Sequence, residues 1–269
     1  MQIPVGHVEA GLRTYNIYSP FPEEFNRQAV SIISRFNFAP TEISKGNLLR
    51  EGRDESTIYV TGNTAIDALK TTVRDDYTHP QLEWAKGSRL IMLTAHRREN
   101  LGEPMHHMFR AIKRIVDETP DIKVIYPIHM NPIVRKAADE ELGGDERIRI
   151  IEPLEVLDFH NFLSRSYLIL TDSGGIQEEA PALAKPVLVL RKETERPEAV
   201  AAGTVKIAGV EKDDIVRLAK ELLDSEDAYN KMAHAANPYG DGEASRRTVE
   251  AILYAFGYSD KRPENFSVK

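Results

Sequence analysis

Residues 167–180 read YLILTDSGGIQEEA. An apolar run ends in a threonine, a Ser-Gly-Gly turn follows, and a stretch of helix formers begins. That order describes a buried parallel strand handing over to a helix at its carboxyl end. Glycines at 174 and 175 let the backbone come close to a ligand. The helix N-terminus offers N–H groups and a partial positive charge. Ser173, Gly174 and Gly175 therefore read as a phosphate cradle; the plain alternative is that Ser173 merely caps the helix. No P-loop lysine is present, which argues against a nucleoside triphosphatase. Glu179 lies far enough into the helix for its carboxylate to reach a ribose diol. The plain alternative for Glu178 and Glu179 is a pair of acids favoured by the helix dipole.

Working outward, the same unalternating apolar pattern recurs at 89–94 (RLIMLT), 122–127 (IKVIYP), 147–151 (RIRII) and 186–190 (PVLVL), and weakly at 204–207. Helical patterns lie between these runs at 104–118, 132–142, 154–164 and 175–184, and another follows at 212–223. Alternation of this kind predicts βαβ units and a doubly wound parallel sheet, so residues 88–238 read as one Rossmann-like α/β domain. Residues 1–80 read as a different piece, with strands at 37–39 and 57–61 and helices at 23–35, 42–49 and 64–73. The stretch 75–87 (DDYTHPQLEWAKG) is polar and holds turn formers, which predicts a linker. A last helix at 242–255 opens a C-terminal segment, 242–269.

Composition narrows the function. The chain has 269 residues, 41% of them apolar, and no cysteine. That excludes a disordered chain, a disulfide scaffold, thiolate zinc sites and a cysteine nucleophile. A net charge of −7 argues against a protein that wraps nucleic acid. No run approaches the ~18 uninterrupted apolar residues of a membrane span. The start, MQIPVGHVEAG, lacks the pattern of a signal peptide, so a soluble cytoplasmic protein is the expectation.

Other motifs carry candidate chemistry. TAHRREN (94–100) puts His96, Arg97 and Arg98 at a strand end, where they suit an anion; the alternative is a solvated loop. GHVEAGLRT (6–14) and PFPEEFNR (20–27) supply Glu9 and Glu23, a carboxylate pair suited to acid–base work. Glu23 and Glu24 equally fit an ordinary helix start after Pro22. YPIHMNP (126–132) places His129 at another strand end, and TERPE (194–198) is charged and stiffened by proline. No histidine pair has metal-ligand spacing, and the adjacent His106 and His107 face different ways on a helix; no metal site is expected.

Seven motifs, GHVEAGLRT, SPFPEEFNRQ, VTGNTAIDAL, TAHRREN, LDFHNFL, TDSGGIQEEAP and TERPE, occur in this order. Together they resemble the non-hydrolysing UDP-N-acetylglucosamine 2-epimerases. The resemblance implies two Rossmann-like domains of GT-B type and interconversion of UDP-GlcNAc and UDP-ManNAc, a precursor of cell-surface polysaccharide. It implies no cofactor, a homodimer, and UDP-GlcNAc and UDP as ligands. In the family several βα units precede the VEAGLRT segment, on the order of 100 residues at roughly 30 per unit. The resemblance thus implies an N-terminal domain without its first part. By motif, Glu9, Glu23 and His96 correspond to catalytic positions. Ser173, Gly174, Gly175, Glu179, Phe159 and Arg13 correspond to substrate-binding ones. Arg97 and His129 correspond to a regulatory UDP-GlcNAc site. A GT-B glycosyltransferase and a non-catalytic UDP-sugar-binding chain are the rival readings.

Overall fold

The computed structural model describes residues 3–18 and 20–268. Two compact units divide the chain. One runs to Lys70 and resumes at Asn237; the other spans Thr71–Ala236.

The first unit holds β1 (Gly6–Val8), α1 (Glu23–Ile33), β2 (Phe36–Ala39), α2 (Glu42–Arg50), β3 (Ile58–Val60) and the start of α3 (Thr64–Thr72). Its strands are parallel in the order β1-β2-β3, with Gly6 opposite Phe36 and Asn37 opposite Ile58. β1 escapes the sequence reading because three residues ending in a carboxylate turn carry no apolar run. The turn after it enters the left-handed region at Glu9 (φ 62°) and again at Gly11 (φ 86°). A Cβ on Gly11 would sit 2.1 Å from the Ser44 carbonyl oxygen, so only glycine fits. Thr41 caps α2 by accepting from Ser44 N–H.

The second unit begins with α4 (Pro80–Ala85), inside the stretch expected to be a linker. His79 caps this helix, and Trp84 lies against the cations of Lys123 and Arg149 at 4.8 and 4.3 Å. Residues 75–87 are therefore folded; Pro80 at a helix start had the look of a loop breaker. There follow β4 (Arg89–Thr94), α5 (Glu103–Glu118), β5 (Ile122–Pro127), α6 (Pro132–Leu142), β6 (Ile148–Ile151), α7 (Val156–Arg165), β7 (Leu168–Thr171), α8 (Ile176–Ala182), β8 (Val187–Val189), α9 (Pro197–Ala202), β9 (Val205–Ile207), α10 (Lys212–Asp224) and α11 (Glu226–Ala233). All six strands are parallel in the order β6-β5-β4-β7-β8-β9, the doubly wound arrangement expected for this stretch. Met105, Met108, Phe109, Ile112 and Val116 repeat at helical spacing along α5. They are buried with Ile91, Leu93, Tyr126 and Leu170 of the sheet.

Beyond Asn237 the chain returns to the first unit, and the C-terminal segment is not a separate body. Asp67 accepts from the N–H groups of Ala244 and Ser245 at the start of α12 (Ala244–Ala255). The tail then lines β3, with Phe266 N–H donating to the Val60 carbonyl at 2.8 Å.

Candidate functional site

β4 and β7 are hydrogen-bonded neighbours, yet the chain leaves them in opposite directions, toward β5 and toward β8. Ligands of doubly wound sheets bind at this switch point, beyond the carboxyl ends of the strands. Thr94 and Thr171 face each other there, their hydroxyls 2.6 Å apart. A pocket of about 430 Å³ opens beside them. Its walls include His96, His129, Phe159, Ser173, Gly175 and Glu179. Tertiary structure thus gathers six of the sequence-predicted residues from four separate segments.

The turn before α8 differs from a plain cap. The N-cap residue is Gly175, in helical conformation and without a side-chain cap, while the Thr171 hydroxyl accepts from Ser173 N–H. The capping alternative for Ser173 does not hold. Gly174 is also demanded by the protein itself. A Cβ there would lie 2.6 Å from Glu195 Oε1. Glu195 is buried among Arg191, Arg196 and Arg97, at 2.6, 3.5 and 3.4 Å. Burial alone would raise its carboxyl; Arg196 and Arg191 outweigh that and hold it at about 2. Glu178 is also buried and pairs with Arg196, so it belongs to this charge network rather than to the pocket.

On the other wall, Glu179 Oε2 lies 3.6 Å from Nε2 of His160. His160 is buried, and its Nδ1 lies 2.8 Å from the Thr72 hydroxyl. Sequence reasoning took Phe159 from LDFHNFL and missed His160; adjacent aromatic and imidazole groups on one helix were the available signal. Asp172 reaches across to the neighbouring loop, where Oδ2 accepts from His96 N–H and Arg97 N–H, both at 2.8 Å. The His96 ring stacks on the His129 ring at 5.6 Å between centroids and 11° between planes. The Arg97 guanidinium donates to the Asp172 carbonyl and to Glu195.

In the first unit, Glu9 is half-buried and accepts from Asn63 Nδ2 at 2.8 Å. A left-handed backbone at a non-glycine residue is uncommon and clusters at functional sites. Glu23 opens α1 with its side chain exposed. Its neighbour Glu24 is the carboxylate that turns inward, accepting from Thr14 N–H, Tyr15 N–H and Gln28 Nε2. Arg13, expected on a ligand, is buried and committed to Glu51, Ser31 and the Leu12 carbonyl. Its donors were open to a ligand in sequence; folding assigns them to the interior. Among the described residues no group of three His, Asp or Glu side chains is gathered as a metal ion would require. No helix among them is long and apolar enough to cross a membrane.

Comparison with known proteins bears directly on this arrangement. The family model described as UDP-N-acetylglucosamine 2-epimerase matches residues 1–253. The UDP-N-acetylglucosamine 2-epimerase of Bacillus subtilis is 60% identical over 268 residues, covering 100% of this chain and 70% of that protein. The Staphylococcus aureus MnaA–UDP co-structure is 53% identical with a TM-score of 0.97, over 99% of this chain and 73% of that one. The Neisseria meningitidis UDP-GlcNAc 2-epimerase bound to UDP-GlcNAc is 48% identical with a TM-score of 0.88, over 94% of this chain and 70% of that one. The motifs, the switch-point pocket and these likenesses agree: the chain belongs to the UDP-N-acetylglucosamine 2-epimerase family.

Proposed function

We propose that this protein is an isomerase that interconverts UDP-GlcNAc and UDP-ManNAc. The observation that carries the reading is the pocket at the β4–β7 switch point, where the Ser173–Gly175 turn, His96 and Glu179 converge. The proton on C2 of the sugar is not next to a carbonyl, so direct removal is too slow. Elimination avoids the difficulty. The C1–O bond breaks, UDP leaves with the bonding electrons, and a carboxylate takes the C2 proton. The intermediates are 2-acetamidoglucal and UDP. Protonation of C2 from the opposite face and return of UDP to C1 complete the inversion. No hydride is transferred, so the route needs no redox cofactor.

The residues divide this work. The Ser173–Gly175 backbone and His96 meet the diphosphate and stabilise its growing charge. Phe159 lies beside the uracil and Glu179 takes the ribose. Acid–base duty falls to Glu9 and Glu23. Arg97 and His129 hold a second, regulatory UDP-GlcNAc. The protein works as a homodimer. Proton NMR of UDP-GlcNAc in D2O with the protein tests the reading. The expected result is deuterium at C2 together with new UDP-ManNAc signals. Binding of UDP without exchange at C2 would overturn it.

A further inference from the structure

Asp172 is fully buried at the end of β7, and its two oxygens are treated differently. Oδ2 accepts from His96 N–H, Arg97 N–H and Asn100 Nδ2. Oδ1 is buried, makes no hydrogen bond, and lies 3.3 Å from His96 Nδ1. A buried acceptor without a donor is costly, and an imidazole N–H at that distance would satisfy it. The His96 ring is held on its face by His129, whose own Nδ1 accepts from Asn131 N–H. The remaining charged groups near this wall are accounted for: Arg97 is turned to Glu195, and Glu179 to His160.

We propose that Asp172 is the positioning residue of His96: its free oxygen accepts a hydrogen bond from Nδ1–H and fixes Nε2 as the bare nitrogen offered to the pocket. Asp172 touches no ligand and acts through the ring. One carboxylate thereby joins the two strand ends of the switch point. It pins the backbone of the His96 loop with one oxygen and sets the tautomer of the side chain with the other. For its ligand, the diphosphate of a UDP-sugar, this inference rests on the function proposed above; for the tautomer it does not.

The test is long-range 1H–15N NMR of the histidine rings, with His96 assigned from the signals lost in His96→Gln. In the wild type, neutral His96 should carry its proton on Nδ1 and leave Nε2 bare. In Asp172→Asn the side-chain oxygen can still accept from the three donors, but an NH2 group now faces Nδ1. The proton should move to Nε2, and kcat should fall about 100-fold or more with KM changed less than about threefold. A wild-type ring protonated on Nε2, or a tautomer unchanged in the variant, would overturn the proposal even if activity falls. Should the variant fail to fold, the wild-type tautomer alone decides. Failure of the epimerase reading shows separately, as no C2 exchange by the wild type.

Discussion

Gly174 has no Cβ because Glu195 occupies the space. The carboxylate tip is flexible in isolation, but here it is clamped by Arg191 and Arg196 and cannot swing away. Gly174→Ala should therefore cost about 1–3 kcal/mol, the usual range for overpacking a tight site. Denaturant unfolding measures it. The UDP affinity of the same variant, by calorimetry, should fall with it, since the turn that shifts is a wall of the pocket. Ser173, Gly174 and Gly175 were legible from a strand–turn–helix pattern. The partner that makes Gly174 obligatory lies 21 residues further on, and no spacing rule reaches it.

The segment from Arg191 to α9 shows what an element adds. Read as sequence, TERPE is a charged run stiffened by proline. Folded, Pro197 opens a short helix, and Glu195, Arg196 and Arg191 are each nearly inaccessible. Alternating charges then form a buried ladder from Glu178 through Arg196 and Glu195 to Arg191, whose far side meets the exposed Glu99. Such a ladder depends on pH in a fixed direction. Glu195 is held below its unfolded value of 4.5, at about 2. Its contribution is complete above pH ~4.5 and is lost as the pH falls toward about 2. The amount at stake is on the order of 3 kcal/mol. The stability gap between wild type and Glu195→Gln should accordingly be large near pH 6 and shrink steadily below pH ~4.5. Urea unfolding across that range checks it; a gap that does not change would place the ladder's value elsewhere. The same burial explains why α9 was missed, since charge runs usually mark a solvated face.

For the whole molecule, the two units carry different parts of the proposed reaction. The switch-point pocket is lined by residues of the second unit, while Glu9 and Glu23 belong to the first. Binding and chemistry should then separate by mutation. Glu9→Gln should lower kcat for UDP-ManNAc formation by about 100-fold or more while leaving UDP affinity within about twofold. Paired calorimetry and coupled assays measure the two quantities. A parallel loss of both would mean that the Glu9–Asn63 contact is structural rather than catalytic.

Apolar pattern alone placed all six strands of the second unit and five of its helices, but not α4, α9 or α11. Six apolar strands with helices between them leave few arrangements, because each strand must be covered on both faces and each crossover is right-handed. The sequence also marked His96, His129, Ser173 and Glu179 through their places at strand ends and a helix start, while Phe159 came only from the resemblance carried by LDFHNFL. What it could not determine depends on who is buried against whom. Folding decided that 75–87 packs through Trp84, and that the last helix returns to Asp67 of the first unit. Folding also turned Arg13 inward to Glu51, and set a free carboxylate oxygen of Asp172 beside the His96 ring. Local pattern reports which face of an element is apolar. It does not report which polar partner, 30 or more residues away in sequence, arrives to satisfy a buried charge.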